Sequence, residues 1–128
     1  MAVKKNVNPL DLVKDIVKIA SETKAIDMNV INVQGVSSLA DYIVIASARS
    51  QRQVQGIAHN ITEKLAKEGY KSFSMEGFFV GEWILIDYND VIVHIFLDDT
   101  RMHYDIDSLF KNYNQIKVDE KTGDLILW

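Results

Sequence analysis

Leu10, Val13, Ile16, Val17 and Ala20 recur at helical spacing behind Asn8-Pro9, where asparagine can cap a helix and proline fits its first position. This pattern predicts a first helix. Residues 28–33 form an apolar, β-branched run ended by Gly35, and residues 42–47 form a second; the two are expected to pair through the connection at 34–41. Ser50 opens a second helix whose stripe is Val54, Ile57, Ala58, Ile61 and Leu65, with Gly69 as its stop. Residues 71–76 read as a third strand, and the long crossover through the helix implies that strands two and three are parallel. Past a loop at 77–81, the runs 83–88 and 91–96 flank Asn89-Asp90, residues that tolerate the left-handed backbone of a two-residue turn. Asp98 or Asp99 can cap a last helical stretch to about Phe110. A polar tail, residues 111–128, offers Thr122-Gly123 as the turn of a small hairpin and ends in the apolar run 125–128.

The order of elements predicts a single α/β domain with a mixed sheet of about five strands packed by helices. Within the hairpin, a two-residue turn sets Tyr88 opposite Val91. Alternation then puts Ile84, Ile86, Tyr88, Val91, Val93 and Ile95 on one face, which belongs under the helices. The other face carries Trp83, Leu85, Asp87, Ile92, His94 and Phe96. That face is too polar for a core and too apolar for idle surface.

Composition narrows the class. With 128 residues, 48% of them hydrophobic, the chain can bury one core. There is no cysteine, which removes disulfides and thiolate chemistry and fits a reducing compartment. The first eight residues are polar and lysine-bearing, and no apolar run approaches the roughly 18 residues of a membrane span, so the expectation is a cytoplasmic protein without a membrane partner. A net charge of -4 argues against sequence-independent nucleic-acid binding. Residues 76–107 hold eight carboxylates against Arg101 alone, a bias that should attract a basic partner.

An aromatic and aliphatic cluster rimmed by acids is the pattern of a protein interface, with Trp83 and Phe96 as anchors. The competing reading is that a helix or the tail covers both rings. Gly35-Val36-Ser37-Ser38 followed by Asp41 is like the glycine-serine turn and strand-borne acids of nucleotidyltransferases, but the position two after Asp41 is Ile43. A divalent metal held against phosphates needs a second carboxylate there. Ser37, Ser38, Ser47 and Ser50 read as turn and capping hydroxyls. His94 and His103 lack a defined third ligand, so no metal site is expected. Arg49 and Arg52 flank the start of the second helix, where basic residues oppose the helix dipole; a solvated or ion-paired role is expected of them over an anion site.

Several segments resemble, in order and spacing, the Iojap family of bacterial ribosomal silencing factors. They are Ala25-Ile26-Asp27; the run from Val33 through Gly35-Val36-Ser37-Ser38 and Asp41-Tyr42 to Ser47; Arg52-Gln53-Val54-Gln55; Glu76-Gly77; Trp83-Ile84-Leu85-Ile86-Asp87-Tyr88; and Asp90-Val91-Ile92-Val93-His94-Ile95-Phe96. The resemblance covers about residues 10–110, which makes 1–110 the ribosome-binding domain and leaves 111–128 as a tail outside it. Two positions depart from the family, which usually has glycine at Asn89 and tryptophan at Phe110. The resemblance implies a nucleotidyltransferase-like fold without the catalytic acids, and binding in place of catalysis, with no cofactor. It also implies docking on large-subunit ribosomal protein fourteen, which blocks subunit association and represses translation under nutrient limitation, with no nucleic-acid contact beyond the ribosome. Organelle relatives act in large-subunit assembly. Trp83, Asp87, Tyr88 and Asp90 match motif positions for the contact, and His94 and Phe96 join them from the same strand pair, although alternation turns the Tyr88 ring toward the core. A divergent nucleotidyltransferase and a homodimer that buries the Trp83 face are the alternatives.

Overall fold

The predicted helices and strands form in the computed structural model, which describes residues 8–127. Residues 1–7 and Trp128, part of the polar lead and the apolar end noted above, lie outside the described residues. The elements are α1 (Pro9–Glu22), β1 (Ile26–Asn32), β2 (Tyr42–Ala48), α2 (Gln51–Lys67), β3 (Ser74–Glu76), β4 (Trp83–Asp87), β5 (Val91–Leu97), α3 (Asp98–Tyr104), α4 (Ile106–Leu109), β6 (Asn114–Asp119) and β7 (Asp124–Ile126). The Asn8 side chain accepts the Leu10 N–H at 2.9 Å, and Ser50 Oγ accepts that of Gln53 at 3.1 Å, so both long helices start where their caps predict. α2 ends on Gly69 at φ 94°, and the Tyr70 N–H returns to the Leu65 carbonyl.

All seven strands form one sheet in the order β3-β4-β5-β2-β1-β6-β7. β2 and β5 are parallel over seven rungs, from Tyr42 opposite Val91 to Ala48 opposite Leu97, and every other pairing is antiparallel. Strands two and three are parallel in direction, as the sequence implies, but they are not neighbours. The hairpin inserts between them and β5 takes the place beside β2. The reason is burial: β5 is long and apolar enough for the sheet centre, while β3 is three exposed residues suited to an edge. Two strands beyond the expected five come from residues 114–126. β6 pairs with β1, and the turn into β7 docks on α1, where Lys18 Nζ reaches the Thr122 carbonyl at 2.8 Å. Gly123 is required in that turn, because its φ is 74° and a Cβ would stand 2.9 Å from Ser21 Cβ.

α1 and α2 cover one face of the sheet with a cluster that includes Val13, Ile16, Ile57, Ile61, Ile84, Val93 and Ile95. On the other face Ile31, Val33, Ile43, Ile45 and Phe96 pack against Ile106 of α4, with Phe110 and Tyr113 at the margin. The last helical stretch is not continuous. Asp105 at φ 51° breaks it, which turns Ile106 inward and brings Asp107 back beneath Arg101. Arg101 Nε and Nη2 each donate to the Asp107 carboxylate at 2.9 Å, while Nη1 donates to Ser47 Oγ at 2.8 Å and to the Asp27 carbonyl at 2.6 Å. That carbonyl is offered by the irregularity in β1, where Asp27 has φ 51° and the pairing with β2 shifts register. The hydrogen bonds from Arg101 hold the Asp107 carboxyl below its ordinary range, against the opposing effect of its partial burial.

Arg101 thus ties α3 and α4 to the ends of β1 and β2. Arg101→Met leaves Asp107 and the Asp27 carbonyl without their donor. Urea denaturation at neutral pH should show a loss of about 1–3 kcal/mol, below the roughly 3–5 kcal/mol of a fully buried ion pair because the Asp107 side chain is 39% exposed. A loss below about 1 kcal/mol would mean that burial of Ile106 alone docks the two helices.

Candidate functional site

The mixed face of the hairpin forms as alternation requires, with Trp83 opposite Phe96, Leu85 opposite His94 and Asp87 opposite Ile92. The turn also follows the sequence: Tyr88 and Val91 bond across it, and Asn89 takes φ 72°. Covering is uneven. α3 and α4 seal Phe96 at 0% exposure, whereas Trp83, Leu85, Asp87 and Ile92 stay partly open, and neither core cluster includes Leu85 or Ile92.

Trp83 is held from three sides. Its ring stacks on Phe96 with centroids 4.8 Å apart and meets Tyr104 of α3 at 5.1 Å, and its Nε1 donates to His94 Nδ1 at 3.0 Å. An indole fixed in this way presents its free surface without a large loss of side-chain freedom on binding. His94 is 8% exposed, and burial lowers its imidazole from the ordinary 6.5 to about 4. It is therefore neutral at physiological pH, with Nδ1 accepting from Trp83 and the proton on Nε2. At the far end of β4, the Asp87 carboxylate accepts the Asn89 N–H at 2.7 Å, which tightens the turn, and the Asp90 carbonyl accepts the N–H groups of Asp41 and Tyr42. Among the described residues, Glu82, Asp87, Asp90 and Asp99 take part in no ion pair.

The structure brings Trp83, His94 and Phe96 into direct contact, with Asp87 at the other end of the same face and Asp90 exposed in the turn beyond it. Phe96 and His94 lie beneath the open surface and support Trp83. Tyr88 is not part of this face: it is 6% exposed in the helix-covered core, burial pushes its phenol up to about 12, and its hydroxyl has no hydrogen-bond partner among the described residues. Sequence reasoning missed Tyr104, 59% exposed and lying on Trp83, because only the docking of α3 brings residue 104 to residue 83. Leu85 and Ile92 carried a signal in the alternation itself.

The other candidates settle into ordinary roles. Ile43 packs in the second cluster, so the place for a second acid beside Asp41 belongs to the core. Ser37 Oγ accepts the Leu39 N–H within its turn, Ser50 caps α2 and Ser47 serves Arg101. His103 packs edge-on against Tyr104, 5.2 Å away, and among the described residues no three histidine or acidic side chains converge as metal ligands. No helix among the described residues is long and apolar enough to cross a membrane.

Comparison with known proteins gives a consistent set of matches. The family model described as "Ribosomal silencing factor during starvation" matches residues 6–125. A Bacillus subtilis protein named ribosomal silencing factor is 37% identical over 101 residues, which is 76% of this chain and 86% of that protein. The chloroplastic protein Iojap of Arabidopsis thaliana is 29% identical over 81% of this chain and 43% of its own length. A crystal structure of a Chromobacterium violaceum protein superposes with a TM-score of 0.79 at 30% identity, covering 82% of this chain and 88% of the other.

The His94 environment has a consequence for stability. Because the folded imidazole titrates near 4 and the unfolded one near 6.5, the unfolded chain binds the extra proton between those values. Its contribution to stability is full above about pH 6.5 and falls by roughly 3 kcal/mol as pH drops toward 4. Urea denaturation across this window should show the fall, and His94→Gln, which keeps an acceptor for Trp83, should flatten it. An unaltered pH profile in the variant would assign the acid sensitivity to other groups.

Proposed function

We propose that this chain, which belongs to the ribosomal silencing factor family, acts by binding and not by catalysis: its open β4–β5 face docks on large-subunit ribosomal protein fourteen and sterically prevents the small subunit from joining, lowering translation when nutrients are scarce. The observation that carries this reading is the face itself. An indole pinned by Phe96 and His94 stands on a sheet surface that α3 and α4 leave bare, beside carboxylates that have no cation of their own among the described residues. Trp83 is the apolar anchor, Leu85, Ile92 and Tyr104 widen the contact, and Asp87 and Asp90 face a basic surface. His94 and Phe96 act from beneath by fixing Trp83, and Tyr88 acts by holding the hairpin against the helices. Ribosomal proteins are mostly basic, so charge complementarity favours this encounter and disfavours neutral surfaces. No step of such a mechanism needs a cofactor.

Co-sedimentation with isolated large subunits tests the reading. Trp83→Ala, checked for folding by circular dichroism, should weaken binding by roughly 10- to 100-fold, as expected for a central aromatic anchor. Asp90→Lys, on an exposed turn, should weaken it several-fold, and added salt should weaken the wild type through the same acidic rim. Wild-type binding by the folded Trp83→Ala protein would remove the β4–β5 face from the contact, and binding to subunits stripped of protein fourteen would remove that partner.

A further inference from the structure

The acidic bias of residues 76–107 has an opposite at the carboxyl end of β2. Arg49 leaves that strand just before Ser50 caps α2, Lys24 follows α1, and Lys121 lies in the β6–β7 turn. Three separate connections thereby bring three cations to the wall of one cleft of about 480 Å³, which Ser21, Gln53 and Glu120 also line. Among the described residues, no ion pair or hydrogen bond engages the side chain of Lys24, Arg49 or Lys121. Lys18 pairs with Asp124, Lys64 with Glu22 and Arg101 with Asp107; what sets Lys24, Arg49 and Lys121 apart is that they share one cleft. The single carboxylate of the cleft, that of Glu120, accepts the backbone N–H of Met28 at 2.9 Å.

Two electrostatic terms oppose this arrangement when nothing anionic is bound. Like charges share one concavity, and they do so at the start of a 17-residue helix with no acidic residue in its first turn, where the helix dipole is itself positive. A bound anion reverses the sign of both terms. The solvated role expected of Arg49 from sequence gave no reason for Lys24 and Lys121 to join it.

The geometry points to a binding site for a phosphate-bearing polyanion, held by Lys24, Arg49 and Lys121 at the amino end of α2. Cations spaced around a cleft of this size call for several acceptor oxygens and more than one negative charge. A polyphosphate or a sugar-phosphate backbone supplies both, and a single carboxylate does not. The site makes no use of the Trp83 face, which lies on β4 beyond β5, so it stands or falls apart from the docking reading above.

The test is a titration of the full ¹⁵N-labelled chain by amide NMR at low salt, with sodium tripolyphosphate in one arm and a short single-stranded RNA of mixed sequence in the other. Saturable shifts are expected at Ser21, Lys24, Arg49, Gln53 and Lys121 with at least one probe. Arg49→Ala/Lys121→Ala should weaken that binding about tenfold and, in the RNA arm, flatten the plot of log affinity against log salt by about 1 to 2. Lys67→Ala/Lys71→Ala removes the same charge elsewhere and should change affinity less than about twofold. RNA binding that tripolyphosphate displaces assigns the site to a nucleic-acid backbone; tripolyphosphate binding alone assigns it to a soluble polyphosphate. No saturation with either probe, or equal weakening in the two double variants, overturns the proposal. The amide spectra also report whether each variant is folded.

Discussion

β2 is buried at all seven of its positions, and β5 lies parallel to it along its whole length. A strand in that position needs cover on both faces, because no polar face remains to meet water. Much of the molecule follows from this demand. The parallel pairing rules out a hairpin between β2 and β5, so the chain crosses over through α2 and back along the β3–β4 pair before β5 can be laid down. α1 and α2 supply one layer from long amphipathic helices that close without help. The other layer comes from two short helices, which the Arg101 clamp ties to β1 and β2.

The inequality of the two layers creates the candidate site. α3 and α4 are long enough to seal β1, β2 and the end of β5 over Ile31, Ile45 and Phe96, but they stop short of the outer part of β4. Trp83 sits on that boundary, packed against Phe96 and Tyr104 on one side and open on the other. A residue placed so serves stability and display together, and its hydrogen bond to a neutral, buried His94 fixes which edge of the indole is used. Glu82 and Asp90 stand exposed beyond that boundary.

Hydrophobic periodicity carried much of this fold because it encodes which side of each element faces inward. The caps at Asn8 and Ser50, the stripe of α2, the hairpin register and its two faces were all legible, since each depends on residues a few positions apart. The family resemblance was legible too, through motifs spread over several elements, and the matched region 6–125 reaches past the expected boundary at 110 into β6 and β7. Polar strands such as β6 leave a weak pattern, because their largely exposed positions relax the need for alternation.

What the sequence determined by itself was local and periodic: element type, inward face, the apolar and mixed sides of the hairpin, and the excess of acid in residues 76–107. What only the tertiary structure decided was adjacency. Placing β5 beside β2, breaking the last helix at Asp105, folding Arg101 onto Asp107, burying Phe96 under Ile106 and setting Tyr104 on Trp83 all join residues whose separation along the chain carries no periodic signal. The same holds for Lys24, Arg49 and Lys121, three unremarkable cations in sequence that share one cleft because three connections meet at the same end of the strands. Periodicity records how each segment meets the core, whereas competition among segments for the two faces of β2 settles which ones meet each other.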